Sequence, residues 1–171
     1  QSEKTVGESF EKLFAQGEGK RIIIATFSSN IHRIQQIIDN ASRYGRKVAV
    51  FGRSMVNVMN TAIELGYLTV PKGIIIDIDM MSRYENEKIV LITTGSQGEA
   101  MAALPRMAAS LHKKVSIKPG DTVIFSSTPI PGNEKAVSRV INELTRKGAN
   151  VIFQDTHVSG HACQEEIKLI Y

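Results

Sequence analysis

Apolar positions along the chain fall into two rhythms that take turns. Val6, Phe10, Leu13 and Phe14 recur at helical spacing, and Gly17 and Gly19, which tolerate a left-handed turn, close that helix after about three turns. Residues 21–26 (RIIIAT) then run short, β-branched and apolar through the middle, as a strand covered on both faces does. The alternation repeats. Ile31, Ile34, Ile37, Ile38 and Ala41 form a helical stripe leading to Gly45, and residues 47–51 (KVAVF) form a second strand. Val56, Met59, Ile63 and Leu65 make the next stripe, closed by Gly66. Residues 88–93 (KIVLIT), 122–126 (TVIFS) and 150–153 (NVIF) read as further strands, with helices over 102–111 and 134–147 between them.

Short apolar strands alternating with amphipathic helices specify an α/β domain: a doubly wound, mainly parallel sheet with helices on both faces. One stretch resists assignment. Residues 72–84 contain GIIIDIDMM, which could be a strand or a buried helical turn, and periodicity alone does not separate the two. No tandem repeat, low-complexity tract or Pro- or Ser-rich linker divides the sequence. With 171 residues, 42% of them hydrophobic, it has core enough for one domain and is short for two, so residues 1–171 are expected to form a single unit.

Composition narrows the class. No stretch approaches the about 20 apolar residues of a membrane helix, and the N-terminus lacks a secretion signal. A single cysteine, Cys163, excludes an internal disulfide and a zinc site of paired thiolates, and fits a reducing cytoplasm. The formal charge of +4 and pI near 9.2 suit a polyanionic partner, although proteins that bind no nucleic acid also carry so small a surplus. Because the chain starts at Gln1 and stops at Ile170 and Tyr171 inside what reads as an unfinished amphipathic helix, it is expected to be a fragment of a longer cytoplasmic protein.

In an open parallel sheet ligands bind outside the carboxyl ends of the strands, which directs attention to the residues just after each one. RIIIAT runs into Phe27, Ser28, Ser29 and Asn30, and KIVLIT into Thr94, Gly95, Ser96, Gln97 and Gly98. TVIFS runs into Ser127, Thr128 and Pro129, and NVIF into a segment carrying His157, Ser159, Gly160 and His161. Hydroxyls, amides and glycines ahead of a helix place backbone N–H groups and side-chain donors together, a combination suited to phosphate oxygens. The plainer alternative for each loop is that Ser, Thr and Asn act as N-caps and Gly as a turn residue. No GxxxxGK[ST] or GxGxxG pattern points to an ordinary nucleotide site.

The histidines leave similar choices open. His157 and His161 lie four apart, a spacing that suggests zinc on a helix, but the glutamate of HEXXH is missing and Ser159 with Gly160 implies a loop entering a helix. A phosphate contact or acid–base role fits them better. His32, near a helix start, and His112, beside Lys113 and Lys114, read as surface residues or caps. Asp77 and Asp79 could form a carboxylate pair or sit in a solvated loop, and Cys163 reads as a small packing residue.

Taken as a set, ATFSSNIHRIQQI (residues 25–37), TTGSQGEAMAAL (93–104), SSTPIPGNE (126–134) and HVSGHACQEE (157–166) resemble, in this order, the β-CASP region of bacterial ribonuclease J enzymes. The opening SEKTVGESF resembles the segment that leads into it. The likeness covers nearly the whole chain, with HVSGHA and TGSQGE as its specific parts; Ala100 stands where the family pattern leads one to expect a proline.

That resemblance implies a β-CASP domain from a two-part nuclease of the metallo-β-lactamase superfamily, in which a lactamase-fold domain holds two zinc ions through an HxHxDH motif. The motif is absent here, so the zinc ligands are expected outside this chain and no metal is expected within it. The histidine of the family's SGH step matches His161, which is expected to stabilise developing charge or serve the leaving oxygen. Ser159, Gly160 and His157 are expected to contact phosphate, and Ser28, Asn30, Arg33, Ser96, Gln97, Gly98 and Ser127 to line the channel. Arg53 and Arg106 are further candidates for the RNA backbone, and Phe27 for stacking on a base. The implied partners are single-stranded RNA, the metallo-β-lactamase domain of the same parent chain, and further copies of the full-length protein in a homo-oligomer, with no membrane. The implied activity of the parent is endonucleolytic and 5′-to-3′ exonucleolytic cleavage. The alternative is a free-standing phosphosugar- or nucleotide-binding α/β module.

Overall fold

The computed structural model describes residues 3–99 and 102–154, with the side chains of residues 3–9 left aside. The expected elements form in the expected order. Helix α1 (Glu3–Gln16) is followed by β1 (Ile22–Ala25), α2 (Ile31–Arg43), β2 (Lys47–Phe51), α3 (Arg53–Glu64), β3 (Ile89–Thr93), α4 (Ala103–Ala108), β4 (Thr122–Phe125), α5 (Glu134–Arg146) and β5 (Asn150–Phe153). The strands pair in the order β2-β3-β1-β4-β5, and every pairing is parallel. Ile22 to Ala25 of β1 stand level with Val90 to Thr93 on one side and Thr122 to Phe125 on the other.

Because side chains alternate across a strand, the apolar runs feed two cores. Ile22, Ile24, Val48, Val90, Ile92 and Ile124 project to one face and pack under α1, α2 and α3. Ile23, Ala25, Leu91, Val123 and Phe125 project to the other, under α4 and α5. β1, β3 and β4 are buried along their whole length, which is why RIIIAT and its counterparts show no polar alternation.

The unassigned stretch turns out to be neither of its alternatives in full. Ile75 makes an isolated parallel bridge to Val48, held by Val48 N–H donating to Ile74 O and Ile76 N–H to Val48 O, so the chain briefly extends the β2 edge. It then enters a 3-10 turn, Ile78–Arg83, capped by the Asp77 carboxylate. Ile74 joins the first core whereas Ile76, Ile78 and Met81 pack on the second. Residues that wrap a sheet edge change faces midway, and no single period describes them.

The amino-terminal rim of the sheet is closed by two buried arginines. Arg21, 3% exposed, donates from Nε to Asp121 Oδ1 (3.2 Å) and from Nη2 to Asp121 Oδ2 (2.6 Å) and Ser116 O (2.7 Å). Asp121, 2% exposed, also accepts from Lys118 N–H. Arg46 donates to the carbonyls of Gly17, Lys20 and Ile89, gathering the ends of α1, β1 and β3. Removing one partner of such a pair strands a buried charge, whereas well-packed apolar replacement of both can be nearly neutral. Asp121→Ala is therefore expected to lower unfolding stability by about 3–5 kcal/mol, read as a fall in the urea midpoint with an unchanged slope. The paired change Arg21→Met with Asp121→Leu should lose markedly less.

Candidate nucleic-acid interface

With all five strands parallel, every strand-to-helix turn of β1, β2, β3 and β4 emerges on the same rim. After β1, Thr26, Phe27 and Ser28 lead to Asn30, whose Oδ1 accepts from Arg33 N–H (3.0 Å) and caps α2. After β2, Gly52 takes a φ of 101° and lies so close to the next turn that a Cβ would meet Thr94 Oγ1 at 2.6 Å. Only glycine combines that backbone with that approach. After β3, residues 94–98 fold back onto α4, with Leu104 N–H donating to Thr94 O.

Between these turns lies a cleft of about 840 Å³. Ser28 and Phe27 stand on one wall, Gly52, Arg53 and Ser54 on a second, Thr94, Gly95 and Ser96 on a third. Among the described residues its charged lining is three cations, Arg53, Arg106 and Lys114, against one carboxylate, Glu99. Glu99 accepts from Gln97 N–H (3.0 Å), and Lys114 shares its charge with Asp79 at 3.2 Å. Phe27 is 37% exposed at the lip. The α4–β4 connection returns along the second core through buried Val115 and Ile117, and brings His112 onto Phe51 with ring centroids 4.1 Å apart. Burial first, then Arg106 and Lys114, hold the His112 imidazole below its ordinary pKa.

The arrangement is an electropositive pocket at the carboxyl rim, with hydroxyls beside arginines and aromatic surface within reach. A family model described as "Ribonuclease J, beta-CASP domain" matches residues 19–144. The chain belongs to the β-CASP domain family of ribonuclease J. It is 49% identical over 172 residues to ribonuclease J of Helicobacter pylori strain ATCC 700392 / 26695, covering 99% of this chain and 25% of that protein. Ribonuclease J of Thermus thermophilus is 47% identical over 99% of the chain, and ribonuclease J2 of Bacillus subtilis 47% over 96%, each covered to 30% of its own length. The chain thus spans between a quarter and a third of the curated relatives it matches.

Within this β-CASP domain the site residues expected from sequence meet different fates. Ser28 and Ser96 line the cleft, as do Arg53 and Arg106. Others are committed to the architecture. Arg33, expected at a phosphate, turns inward instead: 6% exposed, its Nη1 donates to Ser126 O (3.0 Å), Ser126 Oγ (2.6 Å) and Gln154 Oε1 (3.1 Å), and its guanidinium lies 5.7 Å from the Phe10 ring. The helical stripe of α2 explains this, since residue 33 adjoins Ile34 and Ile37 on the buried side.

Asn30 is likewise a cap. Gln97, 4% exposed, spans two turns by donating to Thr128 O and accepting from Ile130 N–H and Asn133 Nδ2. Gly98, with φ 76°, donates to Gly95 O and lies against α5, where a Cβ would come within 2.6 Å of Ala136 backbone. Neither of these groups keeps an open backbone donor for a phosphate. Ser127 is 9% exposed, its Oγ without a partner among the described residues, and it is not part of the cleft lining. His157, Ser159, Gly160, His161 and Cys163 lie outside the described residues. Asp77 caps its own turn by accepting from Asp79 N–H, so the two form no free carboxylate pair.

Sequence reasoning missed His112, Lys114 and Phe51 as cleft residues. The run His112, Lys113, Lys114 was visible, but only the return path of the connection shows where it goes. The inward role of Arg33 has a direct consequence. Arg33→Ala takes the guanidinium donor from Ser126 O and Ser126 Oγ and leaves Gln154 Oε1 only the Ser126 hydroxyl, and is expected to cost about 3 kcal/mol in chemical denaturation. A variant as stable as the parent would contradict the bracing role.

Proposed function

We propose that this domain grips single-stranded RNA for a zinc-dependent cytoplasmic ribonuclease with endonuclease and 5′-to-3′ exonuclease activity, whose metallo-β-lactamase domain is carried by the same parent chain and which works as a homo-oligomer. The observation that carries the reading is the cationic cleft on the carboxyl rim of a chain from the ribonuclease J β-CASP family. Residues 1–171 act as the covering domain of that enzyme. Among the described residues no group of three His, Cys, Asp or Glu can hold a metal ion, so they do not fit a zinc site. No described helix is long and apolar enough to cross a membrane.

Physical chemistry supports the division of labour. Arg53 and Arg106 supply charge-assisted, fork-shaped donors for phosphate oxygens, while Ser28 and Ser96 supply short neutral ones. Phosphate contacts of this kind hold a strand in register without reading its sequence. Phe27 offers an exposed ring to an unpaired base. His161, in the segment that follows β5, serves the leaving oxygen or the charge developing at phosphorus, with Ser159, Gly160 and His157 holding the neighbouring phosphate.

Two measurements on the natural protein that carries this chain test the reading. His161→Ala should slow RNA cleavage by roughly a hundredfold or more while leaving RNA affinity within a few fold. Arg53→Ala and Arg106→Ala should each weaken oligoribonucleotide binding and flatten the dependence of log K on log salt by about 0.7, the effect of one lost single-strand phosphate contact. Unchanged affinity and slope in both arginine variants would remove the cleft from RNA binding.

A further inference from the structure

The cleft contains one group whose chemistry differs from its neighbours. His112 is clamped: its ring lies over Phe51, and its Nδ1 accepts from Lys114 N–H at 3.2 Å. A nitrogen that accepts a hydrogen bond carries no proton, so the neutral ring must carry its proton on Nε2. Among the described residues Nε2 has no partner, and His112 lines the cleft together with Ser96, Glu99 and Arg106. Protonating Nδ1 would break the bond from Lys114 and place a new positive charge beside existing ones. Arg106 on α4, Lys114 on the same connection and Arg53 on α3 all oppose it; Glu99 favours it but is held by Gln97 N–H, and Asp79 is paired with Lys114.

We propose that His112 is a ligand-binding residue of the cleft that works uncharged, donating from Nε2–H to a phosphate oxygen of the RNA strand while Arg106 and Lys114 supply the charge. The inference rests on the cleft being the RNA-binding surface and adds a residue and a protonation state to it. A fixed neutral donor gives the phosphate a direction to face; the flanking cations attract it from any direction. The lowered imidazole pKa agrees with this geometry, because burial and the flanking Arg106 and Lys114 all favour the neutral ring.

The test is binding of a short fluorescent single-stranded oligoribonucleotide to the natural protein, with chelator present to prevent turnover, across pH 6.5–8.0 and a series of salt concentrations. His112→Leu keeps an apolar contact with Phe51 and removes the donor. It should weaken binding roughly ten- to a hundredfold, the effect of one hydrogen bond to a charged acceptor, without changing the salt slope, since an uncharged donor releases no counterion. His112→Gln keeps an N–H without a titratable ring and should bind within about twofold of the parent at every pH. Thermal melts confirm that each variant is folded. Arg106→Ala in the same series must flatten the salt slope; if it does and His112→Leu binds as the parent does, the role of His112 is refuted and the cleft stands. A flattened slope in His112→Leu, or affinity that climbs towards acid pH in the parent and not in His112→Gln, would show a charged imidazole and also overturn the proposal. If Arg106→Ala has no effect either, the cleft reading fails and takes this one with it.

Discussion

A parallel strand in the middle of a sheet must be hydrogen-bonded along both edges and covered on both faces, and β1 meets that condition at every residue from Ile22 to Ala25. Meeting it requires connections that travel back over the faces, which is what α2 to α5 do. The same requirement sends all strand carboxyl ends to one rim. Polar turns scattered over a hundred residues of sequence thereby become neighbours, and the cleft between the turns after β1, β2 and β3 is a by-product of how the sheet is wound.

The two rims treat polar groups differently. At the amino-terminal rim Arg21 and Arg46 saturate carbonyls and the Asp121 carboxylate, so that end is sealed. At the carboxyl rim Arg33 ties α2 to Ser126 and Gln154; among the described residues Thr26 Oγ1, Ser127 Oγ and Gln154 Nε2 are buried without partners, as is Asn40 Oδ1 in the last turn of α2. Unsatisfied buried polar atoms lower stability, and a fold tolerates them most readily where something else is meant to bind.

The sheet was legible because its strands are short β-branched runs and its helices amphipathic: β2 and β5 begin and end at the residues the pattern indicates, and the other strands within one or two. The edge-wrapping residues 74–81 were not, because they divide their side chains between two cores. For the site, sequence order finds which residues follow a strand but not which way each one points. Ser28 and the nearly buried Ser96 line the cleft, whereas Arg33 and Gln97, read by the same rule, are spent on hydrogen bonds to neighbouring turns. His112 was hidden for the opposite reason. It follows no strand, and reaches the rim only because Val115 and Ile117 draw its connection across the second face.

That origin bears on how the cleft treats an anion. Residues at strand ends are placed by the sheet itself and hold their positions to within the tolerance of a packed core, but long side chains such as Arg53 and Arg106 extend from them with many rotamers. His112 has the reverse character: a connection carries it, yet its ring is held by a tilted contact with Phe51 and by a backbone hydrogen bond. Long-range attraction needs charge and tolerates mobility, whereas orientation needs a short, fixed donor and gains nothing from a further charge among cations already present. Under the proposed RNA-binding role, attraction and orientation therefore fall to different side chains of the cleft, the mobile arginines and the held imidazole.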